Sequence, residues 1–433
     1  MSVLDQSSKM LIVMVGLPAR GKSYISKKLV SFFLWKGFKT ALFNVGNRRR
    51  ENATQQQDAS FFDAANQDAK LAREQAAMEV LDELLEYLNV SEGQIAVYDA
   101  TNSRKDRRHA ILDRVQKSGF AGNVLFLESL CTDQAVIEGN MRQKVENSPD
   151  YKGCDVEQAM SDLRARIHNY ELVYQPIEDE ENISYVKVIN LASKLICSNV
   201  HGHLSHFITA FLMSLHIGQR PIYLVRSGKT ELADLVELTP ATTPAFGFGH
   251  ASESSTSLPS RFTMNSSLNP EGVAFAQRLG QFFKKQSVEK PVVYTSLLPR
   301  SVETAKHVSC GRVQALSSLN MLDTGICHGM SIQQIMSSMP EEFAAFGKAP
   351  FVYRFPGGES YQDLHERLTF FLLELERTRQ PVVVISHVST LQSLLAYFLG
   401  KTPDEVPFIS VPQHDVIELI PSNYGWAQHR YSI

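Results

Sequence analysis

Between an apolar run, LIVMVG from Leu11, and an amphipathic stretch, KSYISKKLVSFFLW from Lys22, the chain reads Gly16-Leu17-Pro18-Ala19-Arg20-Gly21-Lys22-Ser23. This is the pattern GxxxxGK[ST], in the strand-before and helix-after setting that gives it meaning. It constrains the fold more than any other feature, because such a loop works only where a buried strand feeds straight into a helix. Glycines let successive backbone N–H groups curl around phosphate oxygens, and the helix N-terminus adds partial positive charge. Lys22 is placed to reach the outer phosphates and Ser23 to hold magnesium. The segment predicts a nucleotide-phosphate site on an α/β sheet.

Further β-rich runs recur between helical patterns: TALFNV from Thr40, QIAVYDA from Gln94, NVLFLES from Asn123 and YVKVINL from Tyr185. This alternation predicts a parallel sheet with crossover helices, one of them the long periodic stretch from Asp68 to Leu88. At 433 residues the chain is too long for one ordinary core, so two domains of roughly 200 residues are expected. The helical segment LSHFITAFLMSLHI closes the first half, and the boundary is placed near Ile217, giving domains 1–217 and 218–433. The second half alternates in the same way, with PIYLVRS, PVVYTS and PVVVISH as strands, and is a second α/β domain. Residues 239–269, rich in Ser, Thr, Pro and Gly, predict a flexible surface insertion.

A net charge of -3 leaves no bulk field to attract nucleic acid or an anionic membrane. Five cysteines without a CxxC pair or zinc spacing fit a reducing, cytoplasmic setting. The amino-terminal residues show no secretory pattern, and the first apolar run stops at Gly16, too early to span a bilayer. His201, His203 and His206 have no companion cysteine or carboxylate to make a metal site, and packing is the expected use.

Asp99 ends an apolar run, so its carboxylate should emerge at the sheet edge beside the phosphate loop, where a metal or a substrate hydroxyl would sit. A helix cap is the other use of such an aspartate. Arg48, Arg49 and Arg50 leave the same edge, as do Arg104, Lys105, Arg107 and Arg108. Together these basic clusters suit a second phosphate, although each alone also fits a solvated helix face.

Taken in order, GLPARGKSYISKKL, FNVG followed by RRRE, YDATN followed by RRH, NSPDYK and YELVYQP resemble the kinase half of the 6-phosphofructo-2-kinase/fructose-2,6-bisphosphatase family. The resemblance runs from Leu11 to about Gly425. It implies a P-loop kinase domain followed by a histidine-phosphatase domain akin to phosphoglycerate mutases. It also implies ATP and Mg2+ at Lys22 and Ser23, with Asp99 a further metal candidate, Asp99 and Thr101 at the reacting hydroxyl, and Lys144 stabilising charge. Arg49, Arg50, Arg73, Arg108, Arg166 and Tyr170 are implied near fructose 6-phosphate. A homodimer is allowed without being required.

In that family the first strand of the second domain should end Arg-His-Gly and offer a nucleophilic imidazole, but here it reads Arg226-Ser227-Gly228. Arg226, Arg300 and His387 keep the frame that would grip a phosphoryl group, and Lys348, Tyr353 and Arg354 also match. A serine hydroxyl is unactivated without an adjoining base. Where relatives place a proton-donating glutamate stands Met321, which has no proton to give. Val388 and Gln392 replace a glutamine and an arginine. The expectation is a kinase whose phosphatase half is silent. The alternatives are a bifunctional enzyme with residual phosphatase activity and a non-catalytic sugar-phosphate-binding regulator.

Overall fold

All six residues of Met10–Val15 are apolar, so a strand made of them must have both faces covered. The computed structural model describes residues 9–52, 57–63, 65–191, 193–215, 220–231, 266–309, 311–328, 330, 332–422 and 425–433. In it this segment is a fully buried central strand, β1. The chain forms two compact units, Met1–Leu34 with Phe38–Ile217, and Trp35–Gly37 with Gly218–Ile433. The expected boundary at Ile217 and residues 239–265 of the expected insertion lie outside the described residues.

In the first unit, α1 (Lys22–Trp35) follows β1, and then come β2 (Thr40–Asn44), α2 (Val45–Glu51), α3 (Gln67–Asn89), β3 (Ile95–Asp99) and α4 (Lys105–Lys117). The unit continues with β4 (Asn123–Leu130), α5 (Gln134–Asn147), α6 (Val156–Glu171), β5 (Tyr185–Ile189), β6 (Lys194–Ser198) and α7 (His203–Ser214). The sheet order is β2-β3-β1-β4-β5-β6, parallel except for β6, which returns antiparallel to β5. Because β1 lies between β3 and β4, the loop leaving its carboxyl end opens at the point where the chain switches direction across the sheet, the usual ligand crevice of such folds. Leu11, Val13 and Val15 pack on Leu81, Leu84 and Leu88 of α3 and Ile111 of α4. On α1 and α7, Phe32 stacks on Phe211 with centroids 4.4 Å apart.

The second unit runs β7 (Ile222–Arg226), α8 (Pro270–Lys285), β8 (Val292–Thr295), α9 (Pro299–Ala305), β9 (Arg312–Ala315), α10 (Ile332–Ser338) and α11 (Pro340–Lys348). It ends with α12 (Tyr361–Arg377), β10 (Val382–Ser386), α13 (Val388–Leu399), β11 (Asp415–Ser422) and β12 (Gly425–Ser432). Its sheet order is β12-β11-β7-β10-β8-β9, with β7, β10, β8 and β9 parallel and the β11–β12 hairpin antiparallel at one edge. Tyr223, Val225, Val383 and Ile385 bury one face against Phe275, Leu279 and Phe283 of α8. Among the described residues no helix is long and apolar enough to cross a membrane.

One expected substrate contact is corrected at this level. Arg108 is 0% exposed, and its guanidinium is spent on internal partners. Nε donates to Glu181 at 2.9 Å and Nη2 to the same carboxylate, while Nη1 donates to the carbonyls of Gln175 at 2.9 Å and Asn102 at 3.3 Å. It therefore pins α4 to the loop before β5 and does not face a sugar phosphate. Breaking one side of a buried ion pair strands the other charge, at about 3–5 kcal/mol. Arg108→Leu should lower the melting temperature by about 10 °C. A variant that melts normally but has a raised Michaelis constant for the sugar phosphate would contradict this structural role.

Candidate active site

The phosphate loop takes its shape from close backbone packing. Gly16 adopts φ +133°, and a Cβ built there would lie 2.6 Å from the Ser129 carbonyl oxygen of β4, so a side chain has no room. The Gly16 N–H donates to the Thr101 carbonyl at 2.9 Å, Asn140 Nδ2 donates to the Ala19 carbonyl at 3.1 Å, and the Ser129 hydroxyl donates to the Arg20 carbonyl. Three neighbouring elements thus hold the loop. Lys22 is buried and donates to the Leu17 carbonyl across the loop at 2.6 Å. Arg20 Nη1 is buried without a partner among the described residues, a donor suited to an anion.

Ser23 and Asp99, far apart in sequence, meet here: the Ser23 hydroxyl donates to Asp99 Oδ2 at 2.8 Å. Asn44 Nδ2 donates to the same oxygen at 2.7 Å, while Asn44 Oδ1 caps α2 by accepting from Asn47 N–H at 3.0 Å. The start of the arginine-bearing helix is therefore tied to the Asp99 carboxylate. A hydroxyl and a carboxylate oxygen side by side beneath a phosphate loop form a donor set that fits Mg2+, which takes one or two protein oxygens and fills its shell from phosphates and water. Lys144 on α5 is half-buried, within Coulombic reach of both Lys22 and Asp99. Burial and the Lys144 charge lower Lys22 to about 7, and burial and the Arg166 charge lower Lys144 to about 8.

Beside this centre lie the arginines. Arg49 donates to both oxygens of Asp150 at 2.9 and 2.7 Å, Arg166 Nη1 donates to Asp150 Oδ2 at 3.0 Å, and Arg50 lies 3.5 Å away. Burial alone would raise the Asp150 carboxyl, but Arg49 and Arg166 hold it at about 2. Phe62 lies under the group, its ring 3.6 Å from the Arg166 guanidinium, 5.0 Å from Arg49 and 5.8 Å from Arg73. Tyr170 stands 5.8 Å from the same ring. The structure therefore gathers Arg49, Arg50, Arg73, Arg166 and Tyr170, and excludes Arg108. Sequence reasoning missed Asn44, Phe62, Asn140 and Asp150, although Asn44 and Asp150 lie within the quoted motifs FNVG and NSPDYK.

In the second unit, His387 caps α13 and is 1% exposed. Its Nε2 lies 2.8 Å from the Ser296 hydroxyl, while Nδ1 faces Nε and Nη2 of Arg300 at 3.4 and 3.3 Å. Two guanidinium donors at Nδ1 require a lone pair there, so the ring proton sits on Nε2 and is donated to Ser296. Burial and the charges of Arg300 and Arg226 push the imidazole well below its ordinary value, and it is neutral. Arg300 Nη2 also lies 3.3 Å from Met321 Sδ. Ser227 is held by its backbone: its N–H donates to the Ser386 carbonyl at 2.9 Å, and its carbonyl accepts from Gln413 Nε2 at 2.9 Å. Gln392 is fully buried, accepting from the Tyr361 hydroxyl at 2.8 Å and donating to the Pro407 and Ile409 carbonyls at 2.9 and 3.0 Å. Arg354 is not drawn in by a contact. Its largely exposed side chain pairs instead with Asp363, Nε to Oδ2 at 2.8 Å.

The lowered lysines make a pH-linked prediction. At pH 8 the free protein holds Lys22 mostly neutral and Lys144 about half charged, and phosphate oxygens arriving beside them raise both back toward their ordinary range. Binding of ATP should take up on the order of one proton. Calorimetry in buffers of different ionisation enthalpy would show it, with a smaller uptake in Lys22→Met. A binding heat independent of buffer would contradict the placement of these lysines at the nucleotide.

Comparison with known proteins agrees with this geometry. A family model described as 6-phosphofructo-2-kinase matches residues 1–219, and one for the histidine phosphatase superfamily (branch 1) matches residues 222–433. The 6-phosphofructo-2-kinase/fructose-2,6-bisphosphatase of Aquarana catesbeiana is 38% identical over 423 residues, covering 97% of this chain and 84% of the relative. The form numbered 1 from Mus musculus is 37% identical over 421 residues, covering 97% and 83%, and the form numbered 3 from Homo sapiens is 38% identical over 422 residues, covering 97% and 76%. By fold, site and these matches, the chain belongs to the 6-phosphofructo-2-kinase/fructose-2,6-bisphosphatase family, and its first half makes it an ATP-dependent 6-phosphofructo-2-kinase.

Proposed function

We propose that the first unit moves the γ-phosphoryl group of ATP to the 2-hydroxyl of fructose 6-phosphate, and that the second unit does not hydrolyse the product, fructose 2,6-bisphosphate. The observation that supports the kinase step best is the convergence of Lys22, Ser23, Lys144 and Asp99 beside a separate arginine cluster. Two phosphate-binding features flank one carboxylate. Arg49, Arg50, Arg73 and Arg166 hold the 6-phosphate and present the 2-hydroxyl to Asp99. Ser23 and Asn44 both donate to Oδ2 of Asp99, so Oδ1 is the oxygen that takes the hydroxyl proton as the new P–O bond forms and the bond to the β-phosphate breaks. Lys22, Lys144 and the loop amides receive the charge that builds on the transferring oxygens. Mg2+, held by Ser23 and Asp99, would neutralise the β- and γ-phosphate oxygens.

The reading of the second unit rests on Ser227 and Met321. A phosphoenzyme route needs a nucleophile whose phosphorylated form water can cleave, and an acid for the departing sugar oxygen. His387, the remaining imidazole at the site, is neutral with its proton committed to Ser296 and its lone pair turned to Arg300. It cannot stand in for either. The unaltered protein should therefore release no fructose 6-phosphate from fructose 2,6-bisphosphate. Ser227→His alone should stay poor, because acid catalysis worth about a hundred- to ten-thousandfold is still missing. Adding Met321→Glu should raise the rate by more than the product of the separate effects, since the two groups serve one transition state. Single-turnover release of fructose 6-phosphate is the measurement. Brisk release by the unaltered protein would overturn this reading.

A further inference from the structure

Arg49 and Arg166 are 6% and 8% exposed and near enough for each charge to disfavour the other. Two like charges in a half-dry pocket would turn away from each other toward water unless something else held them. Asp150 accepts from Arg49 Nη2 at both oxygens and from Arg166 Nη1 at Oδ2, and Phe62, 4% exposed, lies beneath both guanidinium groups. Both supports are locked by one residue. Asp162 Oδ1 accepts from the Ala59 N–H at 2.6 Å, fixing the turn Ala59–Phe62, and Oδ2 accepts from the Tyr151 hydroxyl at 3.0 Å, next to Asp150. Asn169 Nδ2 donates to the Ala59 carbonyl at 3.0 Å and closes the frame.

This frame leaves something over. Arg49 Nη1 and Arg166 Nε are buried and have no hydrogen-bond partner among the described residues, and two such donors point to an acceptor from outside the chain. Charge points the same way: Asp150 pairs with three arginines, Arg49, Arg50 and Arg166, so the ion-paired group itself is net positive and suits an anion.

We propose that Asp150 and Phe62 are positioning residues that hold Arg49 and Arg166 as a ready-made clamp for the 6-phosphate of the sugar, with Arg49 Nη1 and Arg166 Nε as its binding edge. This rests on the kinase reading above and adds what sets the grip on the sugar substrate. Two effects oppose each other when Asp150 is neutralised. The pocket becomes more positive, which favours an anion. Against this, an asparagine amide turns its own N–H groups on the guanidinium donors, so an arginine that now meets Asp150 must turn away and the clamp opens. Orientation wins, because a misplaced contact of this kind costs about ten- to a hundredfold.

The test is steady-state kinetics of Asp150→Asn and Phe62→Leu with each substrate varied, alongside thermal melting. The Michaelis constant for fructose 6-phosphate should rise about tenfold or more in each variant, while that for ATP stays within about twofold. An unchanged or lowered constant for the sugar, or an equal rise for both substrates, overturns the inference. If Asp150→Asn melts below the assay temperature, Phe62→Leu, which stays apolar and removes the aromatic face, decides by the same split. Failure of the unaltered protein to turn over fructose 6-phosphate would sink the kinase reading itself. Normal turnover with unmoved constants sinks only the positioning role.

Discussion

Repulsion between buried cations is the constraint around which the first unit is arranged. Lys22, Lys144, Arg49 and Arg166, buried or half-buried, act on one another electrostatically, and two carboxylates, Asp99 and Asp150, offset their charge. A site for two phosphorylated substrates has to carry this charge before the substrates arrive. It does so by partial neutralisation of the lysines, by the Asp150 ion pairs, and by spreading the arginines over the Phe62 ring. Each device keeps the groups aimed while costing little reorganisation when phosphate arrives, which is the condition for preorganised electrostatic catalysis.

The second unit shows what persists when chemistry is given up on the proposed reading. Arg300, His387 and Ser296 remain a buried, mutually satisfied group, and Gln392 has been drawn into an internal network with Tyr361. These contacts stabilise the fold whether or not a phosphoryl group is ever bound, so loss of the nucleophile does not loosen the domain. A serine at position 227 is easily accepted because its backbone is fixed by Ser386 and Gln413, whatever its side chain.

Much of this was readable from the chain alone, for local reasons. The strand, loop and helix around Gly16 to Ser23 are contiguous, so composition and spacing identified both the element and its use, and α1 spans the same residues as the predicted helix. Strands β6 and β9 and the β11–β12 hairpin were not legible. Strands β6, β9 and β12 are edge strands, half-exposed or more, while β11, although buried at Val416, Ile417 and Leu419, is broken by Glu418 and ends in Pro421 and Ser422. Burial partners were hidden more deeply. Arg108 and Glu181 are 73 residues apart, and Arg49 and Asp150 are 101 apart. An arginine bound to a carboxylate inside the fold reads in sequence like one waiting for a phosphate. That is why Arg108 was misassigned and why Asp150 went unnoticed within NSPDYK.

The central claim is a kinase that acts at the 2-hydroxyl and leaves its product intact. A phosphorus NMR time course of the protein with limiting ATP, magnesium and excess fructose 6-phosphate tests it directly. The account predicts that a resonance for phosphate at C2 grows until ATP is spent and then holds constant, with no inorganic phosphate released. Phosphate appearing at C1, or a C2 resonance that decays to inorganic phosphate once ATP is gone, would contradict it.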